Sequence, residues 1–494
     1  MSGAPVDAGP EPLPAGGARF FCTAGRGLEP FLMREVRVRL AATQVECISG
    51  KVFFTTCSDL NMLMKLKSAE RLFLLIKKQF PLTVSSVSKG KIFNEMQRLV
   101  NDDPGSWSNA ISIWKNLHEL DAKREELSQG DSNPLKRKAG ENEIIMAKKF
   151  KTEQMQDIPE NGECRLEKQV EEETLEQKDC IDQRGDFQEE FQSDAEKAID
   201  THNQCDLTFR VSCRCSGAIG RTFTAQEVGR IIGISLMKQF GWKADLRNPN
   251  LEIFIHLNDV YSIVGIPVFR VPLASRAYIR TAGLRSTVAW ALASLAEIKA
   301  GAFVLDPMCG FGTILLEAAK EWPDVYYVGA DVSDSQLLGA CDNLKASGLK
   351  DKIELLKVSV IELPLPSESV DIIISDIPFG KKFKLGKDIK NILQEMERVL
   401  RVGGTVVLLL SEDHYWHIRD CEESSFPLDS KSSHTDELGI SKSWNPEEKK
   451  GLSEKCSDKM PLFGTLVPVE CYKVSLGKTG AFICKYKKSH SSGL

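Results

Sequence analysis

Between residues 286 and 410, short apolar segments of strand type alternate with longer segments of helical spacing. This alternation predicts a doubly wound α/β domain, because each helix returns the chain so that successive strands run parallel in one sheet. At about 150 residues per domain, the rest of the chain has room for roughly two further domains. The predicted strands are FVLD, YYVGAD, IELLKV, VDIIISD and TVVLLL, with AFICKYKK (481–488) as a final strand.

The first part of the chain has a different pattern. Residues 18–80 read as strand, helix, two strands joined at Ser49-Gly50, helix and strand, which is the ferredoxin-like α+β order. Residues 88–127 predict two amphipathic helices. After residue 207 the sequence predicts a strand, a capped helix over 224–241 and a strand hairpin over 251–268. These segments therefore predict a second and a third folded unit ahead of the α/β domain.

The net charge of −5 hides two regions of opposite sign. Residues 119–200 contain 13 Lys/Arg and 24 Asp/Glu, a net charge of −11, so the remainder carries +6. The acidic region has few aromatic residues and cannot bury enough apolar area to offset its ordering entropy, so we predict that it is disordered. Its basic clusters, Lys136–Lys138 and Lys148–Lys151, have the spacing of a bipartite nuclear localisation signal.

Membrane insertion and secretion are not expected. No apolar run reaches the ~18–20 residues of a membrane span. Residues 1–17 have neither a basic start nor an apolar stretch, and they predict a disordered leader rather than a signal peptide. The 14 cysteines include no C-x-x-C pair, so we expect ordinary thiols and no structural metal.

Three groups of residues stand at the ends of the first, second and fourth predicted strands. The first is V-L-D-P-M-C-G-F-G-T (304–313), in which Gly310 and Gly312 let the backbone approach a ligand. The second is Asp331, a side chain suited to accept the hydroxyls of a ribose; the simpler interpretation is a helix cap. The third is S-D-I-P-F-G (375–380), a carboxylate beside a stackable aromatic ring, or an ordinary turn after a strand.

Together these groups resemble the class I S-adenosylmethionine-dependent amino-methyltransferases, whose last motif is usually [N/D]-P-P-[F/Y/W]. The resemblance extends to SRAYIRTAGLRSTVAWALASLA (275–296), which is similar to the segment that joins a THUMP domain to the catalytic domain, and to DLRNPNLEIFIHLND (245–259), which is similar to the end of a THUMP domain. The family with this arrangement is the THUMP-containing RNA guanosine 2-amino methyltransferases.

The resemblance gives the domain plan its names. We expect the methyltransferase fragment 273–494 to bind cofactor by itself. The full plan is a leader (1–17), a ferredoxin-like domain (18–87), a helical segment that begins the THUMP domain (88–127), an acidic disordered insert (128–200), the THUMP domain (201–272) and a Rossmann-like methyltransferase domain (273–494) with a flexible insert (420–462).

The resemblance also implies roles for the loop residues. It assigns S-adenosylmethionine to the first strand end, with Asp306 at the amino acid end of the cofactor and Asp331 at its ribose. Family members commonly place an Asp against the adenine amine, where this chain has Ser359. The implied cofactor-binding set is Asp306, Pro307, Met308, Cys309, Gly310, Gly312, Thr313, Asp331 and Ser359. A nucleophilic role for Cys309 is not expected, because no base is placed to activate it.

The implied catalytic residues are Asp376, Ile377, Pro378 and Phe379. In the family, a side-chain oxygen and a backbone carbonyl accept hydrogen bonds from the two N–H groups of the guanine 2-amino group, which localises its lone pair and stabilises the developing cation. The aromatic residue stacks on the base, which must leave its stack to enter. Ile377 departs from the usual proline, but the family uses the carbonyl at this position rather than the side chain.

Partners follow from the same resemblance. Arg276, Arg280 and Arg285 lie at the predicted domain junction and either grip RNA phosphates or form ion pairs between domains. Related eukaryotic enzymes use a small zinc-binding activator subunit. The predicted product is N2-methylguanosine in a transfer RNA or small nuclear RNA, made in the nucleus. The alternatives are a lapsed enzyme that only binds RNA and a protein glutamine methyltransferase.

Overall fold

The computed structural model describes residues 17–82, 89–130, 207–379, 389–423, 460–461 and 463–490, and the side chains of 120–130 and 420–423 are not described. The localisation signal, nearly all of the acidic insert and most of the segment 420–462 lie outside these residues. In the described part of the chain, no helix is both long and apolar enough to span a membrane.

Two sheets organise the described residues. The first, which we call the N-terminal sheet, has the strand order β2-β3-β1-β4-β8-β7-β5-β6. Its strands are β1 (Ala18–Thr23), β2 (Thr43–Ile48), β3 (Lys51–Thr56), β4 (Arg71–Gln79), β5 (Thr208–Cys215), β6 (Lys243–Ala244), β7 (Leu251–Leu257) and β8 (Ser262–Pro267). The helices between them are α1 (Glu29–Leu40), α2 (Leu60–Met64), α3 (Lys89–Asn101), α4 (Pro104–Gly130), α5 (Gly217–Thr222) and α6 (Ala225–Phe240).

The predicted ferredoxin-like and THUMP elements therefore share one sheet. β4 pairs with β8 in antiparallel register, with Phe73 opposite Pro267 and Gln79 opposite Ser262. The Ser49-Gly50 turn is confirmed, since both residues have positive φ, 46° and 76°. The 224–241 helix also has the predicted ends: Thr224 and Glu227 form a capping box, and Gly241 closes the helix at φ 70°.

The second sheet, which we call the catalytic sheet, has the order β11-β10-β9-β12-β13-β15-β14. Its strands are β9 (Phe303–Asp306), β10 (Tyr326–Asp331), β11 (Ile353–Lys357), β12 (Val370–Asp376), β13 (Leu400–Ser411), β14 (Leu466–Leu476) and β15 (Thr479–Lys488). Its helices are α7 (Ser286–Leu295), α8 (Thr313–Glu321), α9 (Asp334–Ser347), α10 (Ile389–Val399) and α11 (Glu412–Glu423).

The predicted doubly wound fold is confirmed. β9 pairs in parallel with β10 on one side and with β12 on the other, so the strand order reverses at β9. Ligands of open α/β sheets bind at the carboxyl ends of the strands next to such a reversal. The fold therefore brings the ends of β9, β10 and β12, and with them the three groups of residues, to one edge of the sheet.

The sequence prediction missed β14 and α11. β14 contains Pro468, where its register with β15 shifts, and proline in a strand is tolerated mainly at sheet edges and bulges. β14 is indeed the edge strand of the catalytic sheet. The start of α11 is held by Ser411, whose Oγ accepts the His414 N–H at 3.1 Å.

The two sheets are joined by a shared apolar core. Leu28 and Phe31, from the beginning of α1, are 1% and 3% exposed and belong to the same buried cluster as α7 and α8. The Phe31 ring lies 4.8 Å from the ring of Tyr472 on β14. A fragment 273–494 would lack Leu28 and Phe31 and would expose the surface that these side chains cover.

Candidate active site

The loop between β9 and α8, which we call the glycine loop (residues 307–312), depends on two positive φ angles. Gly310 has φ 52° and Gly312 has φ 75°, a region that favours glycine. Gly312 also caps α8, where its carbonyl accepts the Leu316 N–H at 2.9 Å. Within the described part of the chain, a Cβ at Gly310 would meet only Gln336 Oε1, at 3.4 Å. The loop therefore presents bare backbone at the carboxyl edge of the sheet.

Asp331 holds the glycine loop against β10. Its Oδ2 accepts the Gly310 N–H at 3.0 Å, and its Oδ1 accepts the Ser333 N–H at 2.9 Å. The cap of α9 is Ser333 rather than Asp331, so the simpler helix-cap interpretation of Asp331 is wrong. Each carboxylate oxygen keeps a second lone pair, which leaves Asp331 able to accept a ribose hydroxyl.

Asp306, which the resemblance assigns to the amino acid end of the cofactor, is buried. Its side chain is 1% exposed, and its Oδ1 accepts the Met308 N–H at 3.2 Å and the Ser375 hydroxyl at 3.0 Å. Burial raises the pKa of Asp306 to about 8, and the nearby Asp376 and Asp331 add to this rise. These contacts favour a role in shaping the loop and in tying β9 to β12.

Asp376 ends β12 with an unused acceptor. Its Oδ1 is buried and has no hydrogen-bond partner among the described residues, and burial raises its pKa to about 7. Ile377 is fully buried, and its N–H donates to Leu409 O at 3.1 Å. Pro378 and Phe379 follow, both half-buried, with Phe379 packed against the catalytic core.

Three buried oxygens at this edge lack partners among the described residues. They are Thr313 Oγ1 at the start of α8, Gln336 Oε1 in the first turn of α9 and Asp376 Oδ1. A buried polar atom without a hydrogen bond costs about 1–3 kcal/mol, so such atoms in one place indicate a missing ligand. Together with the bare backbone at Gly310, they fit a polar cofactor and an amine-bearing base.

The remaining predicted cofactor residues lie around the same loop. Pro307 and Cys309 are buried and Met308 is half-buried. Burial, followed by the charges of Asp306 and Asp331, raises the pKa of the Cys309 thiol, so it is not a ready nucleophile. Ser359 follows β11 and is half-buried. The preceding Val358 N–H donates to Asp331 O at 3.2 Å, which places Ser359 near Asp331.

The three arginines of the junction separate in the structure. Arg276 is 4% exposed and pairs with Glu317 at 3.0 Å, so the ion-pair interpretation is favoured over a phosphate contact. Arg285 is exposed and pairs with Glu70 at 3.0 Å. Arg280 is exposed, and its side chain forms no ion pair with any residue that the structure describes.

The sequence analysis missed two residues of α9. Gln336 faces Gly310, as noted above, and Asn343 is fully buried and donates to the carbonyl of Phe311 in the glycine loop at 3.0 Å. Asn343 lies four residues after Gly339, where a Cβ would come within 2.6 Å of the Phe311 ring. The signal that the sequence offered was the spacing of Gly339 and Asn343, which are four residues apart and therefore lie on one face of α9.

Two family models match the chain. The model described as an RMKL-like methyltransferase domain matches residues 274–420, and a THUMP domain model matches residues 186–266. The second match begins inside the segment for which we predict disorder. The first overlaps the predicted methyltransferase domain and includes the glycine loop, Asp331 and Asp376.

Full-length relatives match as well. The human protein named U6 snRNA (guanine-N(2))-methyltransferase THUMPD2 is 79% identical over 97% of this chain and 98% of its own length. The Bos taurus protein named tRNA (guanine(6)-N(2))-methyltransferase THUMP3 is 28% identical over 79% of this chain and 80% of its own length. The crystal structure of TrmN from Thermus thermophilus aligns with a TM-score of 0.57 at 19% identity, covering 95% of this chain and 99% of that one, which bears on the fold alone.

Proposed function

Because the chain belongs to the THUMP-containing RNA guanine-N2 methyltransferases, we propose that it methylates the exocyclic 2-amino group of a guanosine in U6 small nuclear RNA. Methylation of an RNA guanosine at N2 is the activity of the family to which it belongs. The U6 substrate is favoured because the human relative named for it matches almost the whole chain at 79% identity. The relative named for transfer RNA matches at 28%. The names of both relatives speak against protein glutamine methylation.

The observation that carries the chemistry is Asp376 Oδ1, which has no hydrogen-bond partner among the residues that the structure describes. A guanine 2-amino group has two protons and a lone pair delocalised into the ring. Asp376 Oδ1 accepts a hydrogen bond from one N–H of the amine and the Ile377 carbonyl accepts a hydrogen bond from the other, which draws the lone pair toward the direction of attack. Because Oδ1 is already buried, it does not have to be desolvated when the base binds, so the acceptor is preorganised. Phe379 stacks on the base, and Pro378 limits the freedom of the loop.

The cofactor of this reaction is S-adenosylmethionine, which supplies an electrophilic methyl group when bound. The residues that would hold it are those of the glycine loop, Asp331 and Ser359, with the unpartnered oxygens of Thr313 and Gln336 as further contacts. Asp331 orients the ribose while it also fixes Gly310. Asp306 keeps the loop in place from below through Met308 and Ser375.

The remaining partners follow from the family and the charge pattern. The N-terminal sheet holds the RNA, with the +6 charge of the chain outside residues 119–200 as an attraction for phosphates. A small zinc-binding activator subunit pairs with the chain, as in related eukaryotic enzymes. The basic clusters at 136–138 and 148–151 direct the protein to the nucleus, where U6 RNA acts.

The test is a methylation assay with labelled S-adenosylmethionine on U6 transcript and on bulk transfer RNA, with and without an activator subunit. We expect N2-methylguanosine at one U6 position and little label in transfer RNA. Label in transfer RNA alone would overturn the U6 assignment while leaving the chemistry intact. Binding of both ligands without any transfer, in the presence of the activator, would instead support the lapsed enzyme.

A further inference from the structure

Asn343 joins two segments that lie far apart in sequence. Its Oδ1 accepts the N–H groups of Arg280 and Thr281 at 2.7 Å and 2.9 Å. Its Nδ2 donates to the carbonyls of Thr281 at 3.1 Å and Phe311 at 3.0 Å. All four hydrogen-bonding positions of the amide are therefore used, and every partner is a backbone group.

The ring of Phe311 reinforces this connection. Phe311 lies between the two glycines of the glycine loop, and its ring packs against Gly339 and Gly283. A Cβ at Gly339 would come within 2.6 Å of the ring, and a Cβ at Gly283 within 3.2 Å. Gly283 belongs to the linker that leads from the N-terminal sheet into α7, and Gly339 belongs to α9. The glycine loop thus packs between the linker and α9.

The linker is also fixed to the N-terminal sheet. Arg276 donates to the carbonyl of Lys67 at 2.9 Å while it pairs with Glu317 of α8. Further along the chain than Thr281, Arg285 and the Thr287 hydroxyl bind the carboxylate of Glu70, which directly precedes β4. Between these two attachments the Arg280 side chain is exposed. A displacement of the linker at Arg280 is therefore transmitted to the glycine loop through the hydrogen bonds of Asn343.

We propose that Asn343 is a positioning residue that holds the linker and the glycine loop in one arrangement, so that the RNA and the cofactor strengthen each other's binding. The proposal rests on the proposed function, which places RNA on the linker side and S-adenosylmethionine at the glycine loop. Each ligand binds this connected arrangement more tightly than an arrangement in which the linker and the glycine loop move separately, and that difference in affinity is the physical requirement for coupling between sites. Loss of the amide uncouples the two sites even where both still bind.

The experiment measures S-adenosylhomocysteine, which cannot react, by calorimetry with the full-length protein and its activator subunit, alone and with saturating U6 transcript. In the unsubstituted protein we expect the RNA to tighten its binding by at least about fivefold, the lower end of typical coupling. In Asn343→Ala the ratio should fall to within about twofold of one. Asp342→Ala is the matched control, because the neighbouring Asp342 is exposed and pairs only with Lys345 among the described residues.

A merely structural role for Asn343 would lower the melting temperature and leave the coupling ratio unchanged, and this result would overturn the proposal. A ratio of one in the unsubstituted protein would also overturn it. Gly339→Ala is a second variant, which keeps the amide and displaces the Phe311 ring; a reduced ratio there supports the proposal if Asn343→Ala does not fold, and an unchanged ratio counts against it. No binding of either ligand to the unsubstituted protein would instead contradict the proposed function.

Discussion

The junction between the sheets and the carboxyl edge of the catalytic sheet both contain buried carboxylates, but they use them differently. At the junction, Glu317 is 1% exposed and binds Arg276 and Tyr278, and Glu35 accepts bonds from Lys67, Ser68 and Arg39. At the edge, Asp376 Oδ1 binds no described residue.

This difference indicates that the carboxylates of the junction are structural and that Asp376 at the edge is available for a ligand. A carboxylate whose acceptors are filled by its own chain holds two elements together, whereas a buried acceptor left open lowers the stability of the ligand-free protein. The junction is thus built to be rigid, and the edge keeps capacity for a ligand. Substitutions at the two regions should fail in different assays, and the following predictions use that contrast.

The largest effect is expected at the junction, from Glu317→Ala. It leaves the Arg276 guanidinium buried and unpaired, which costs about 3–5 kcal/mol of the free energy of unfolding. The measurement is the urea midpoint of the full-length protein. Glu321→Ala on the same helix is the control: Arg39 keeps Glu35 when Glu321 is lost, so we expect well under half of that cost. Equal losses would show that the buried pair is not special.

Asp376→Ala should reduce kcat by about 10²–10³-fold, the usual cost of one preorganised polar group, with S-adenosylhomocysteine affinity nearly unchanged. Asp376→Asn keeps an amide oxygen as acceptor and should retain part of the activity. Both Asp376→Ala and Asp376→Asn should raise the free energy of unfolding, whereas Glu317→Ala lowers it. The reason is that both Asp376 variants remove a carboxyl whose pKa is raised by burial. Normal turnover in the alanine variant would remove Asp376 from the mechanism.

The sequence predicted much of this edge and little of the junction. The glycine loop, Asp331 and Asp376 stand at the carboxyl ends of β9, β10 and β12, so the alternating strand and helix pattern predicts that they share one edge of the sheet. The pairing of Arg276 with Glu317 joins residues 41 positions apart through tertiary packing, and Asn343 acts through backbone groups of residues 62 and 63 positions away. Such contacts depend on how the elements pack, which no local pattern contains.

Asp331→Ala should weaken S-adenosylhomocysteine binding by about 10–150-fold, which corresponds to the ~1.5–3 kcal/mol of hydrogen bonds to a charged group. The variant loses both the predicted ribose contact and the bond to the Gly310 N–H. Asp334→Ala is the control, since Asp334 lies three residues later, is exposed and pairs with Lys357. Unchanged affinity in Asp331→Ala, measured by calorimetry, would place the cofactor elsewhere.

The pH dependence of kcat/KM should report Asp376 in the free enzyme. Its pKa is raised to about 7, so the acceptor is ionised above that pH and protonated below it. We therefore expect kcat/KM to fall as the pH drops below 7, by at most about tenfold per pH unit, because the protonated carboxyl keeps one carbonyl oxygen as acceptor. Asp376→Asn should lose this inflection. An inflection near 8 that persists in this variant would belong to Asp306, whose pKa is raised to about 8.

The smallest effect is expected from Arg280. Unlike Arg276 and Arg285, it forms no ion pair with a carboxylate among the described residues. Its backbone N–H is held by Asn343, so Arg280→Ala removes a guanidinium without moving the linker. If the guanidinium contacts one phosphate, its loss should weaken RNA binding a few-fold and reduce the slope of log affinity against log salt by about one unit. Lys345→Ala, which removes an exposed cation of α9 that pairs with Asp342, is the control for charge alone. An equal change in both slopes would assign the effect to the overall field of the protein, whereas a change confined to Arg280→Ala places RNA on the linker, between the rigid junction and the open edge.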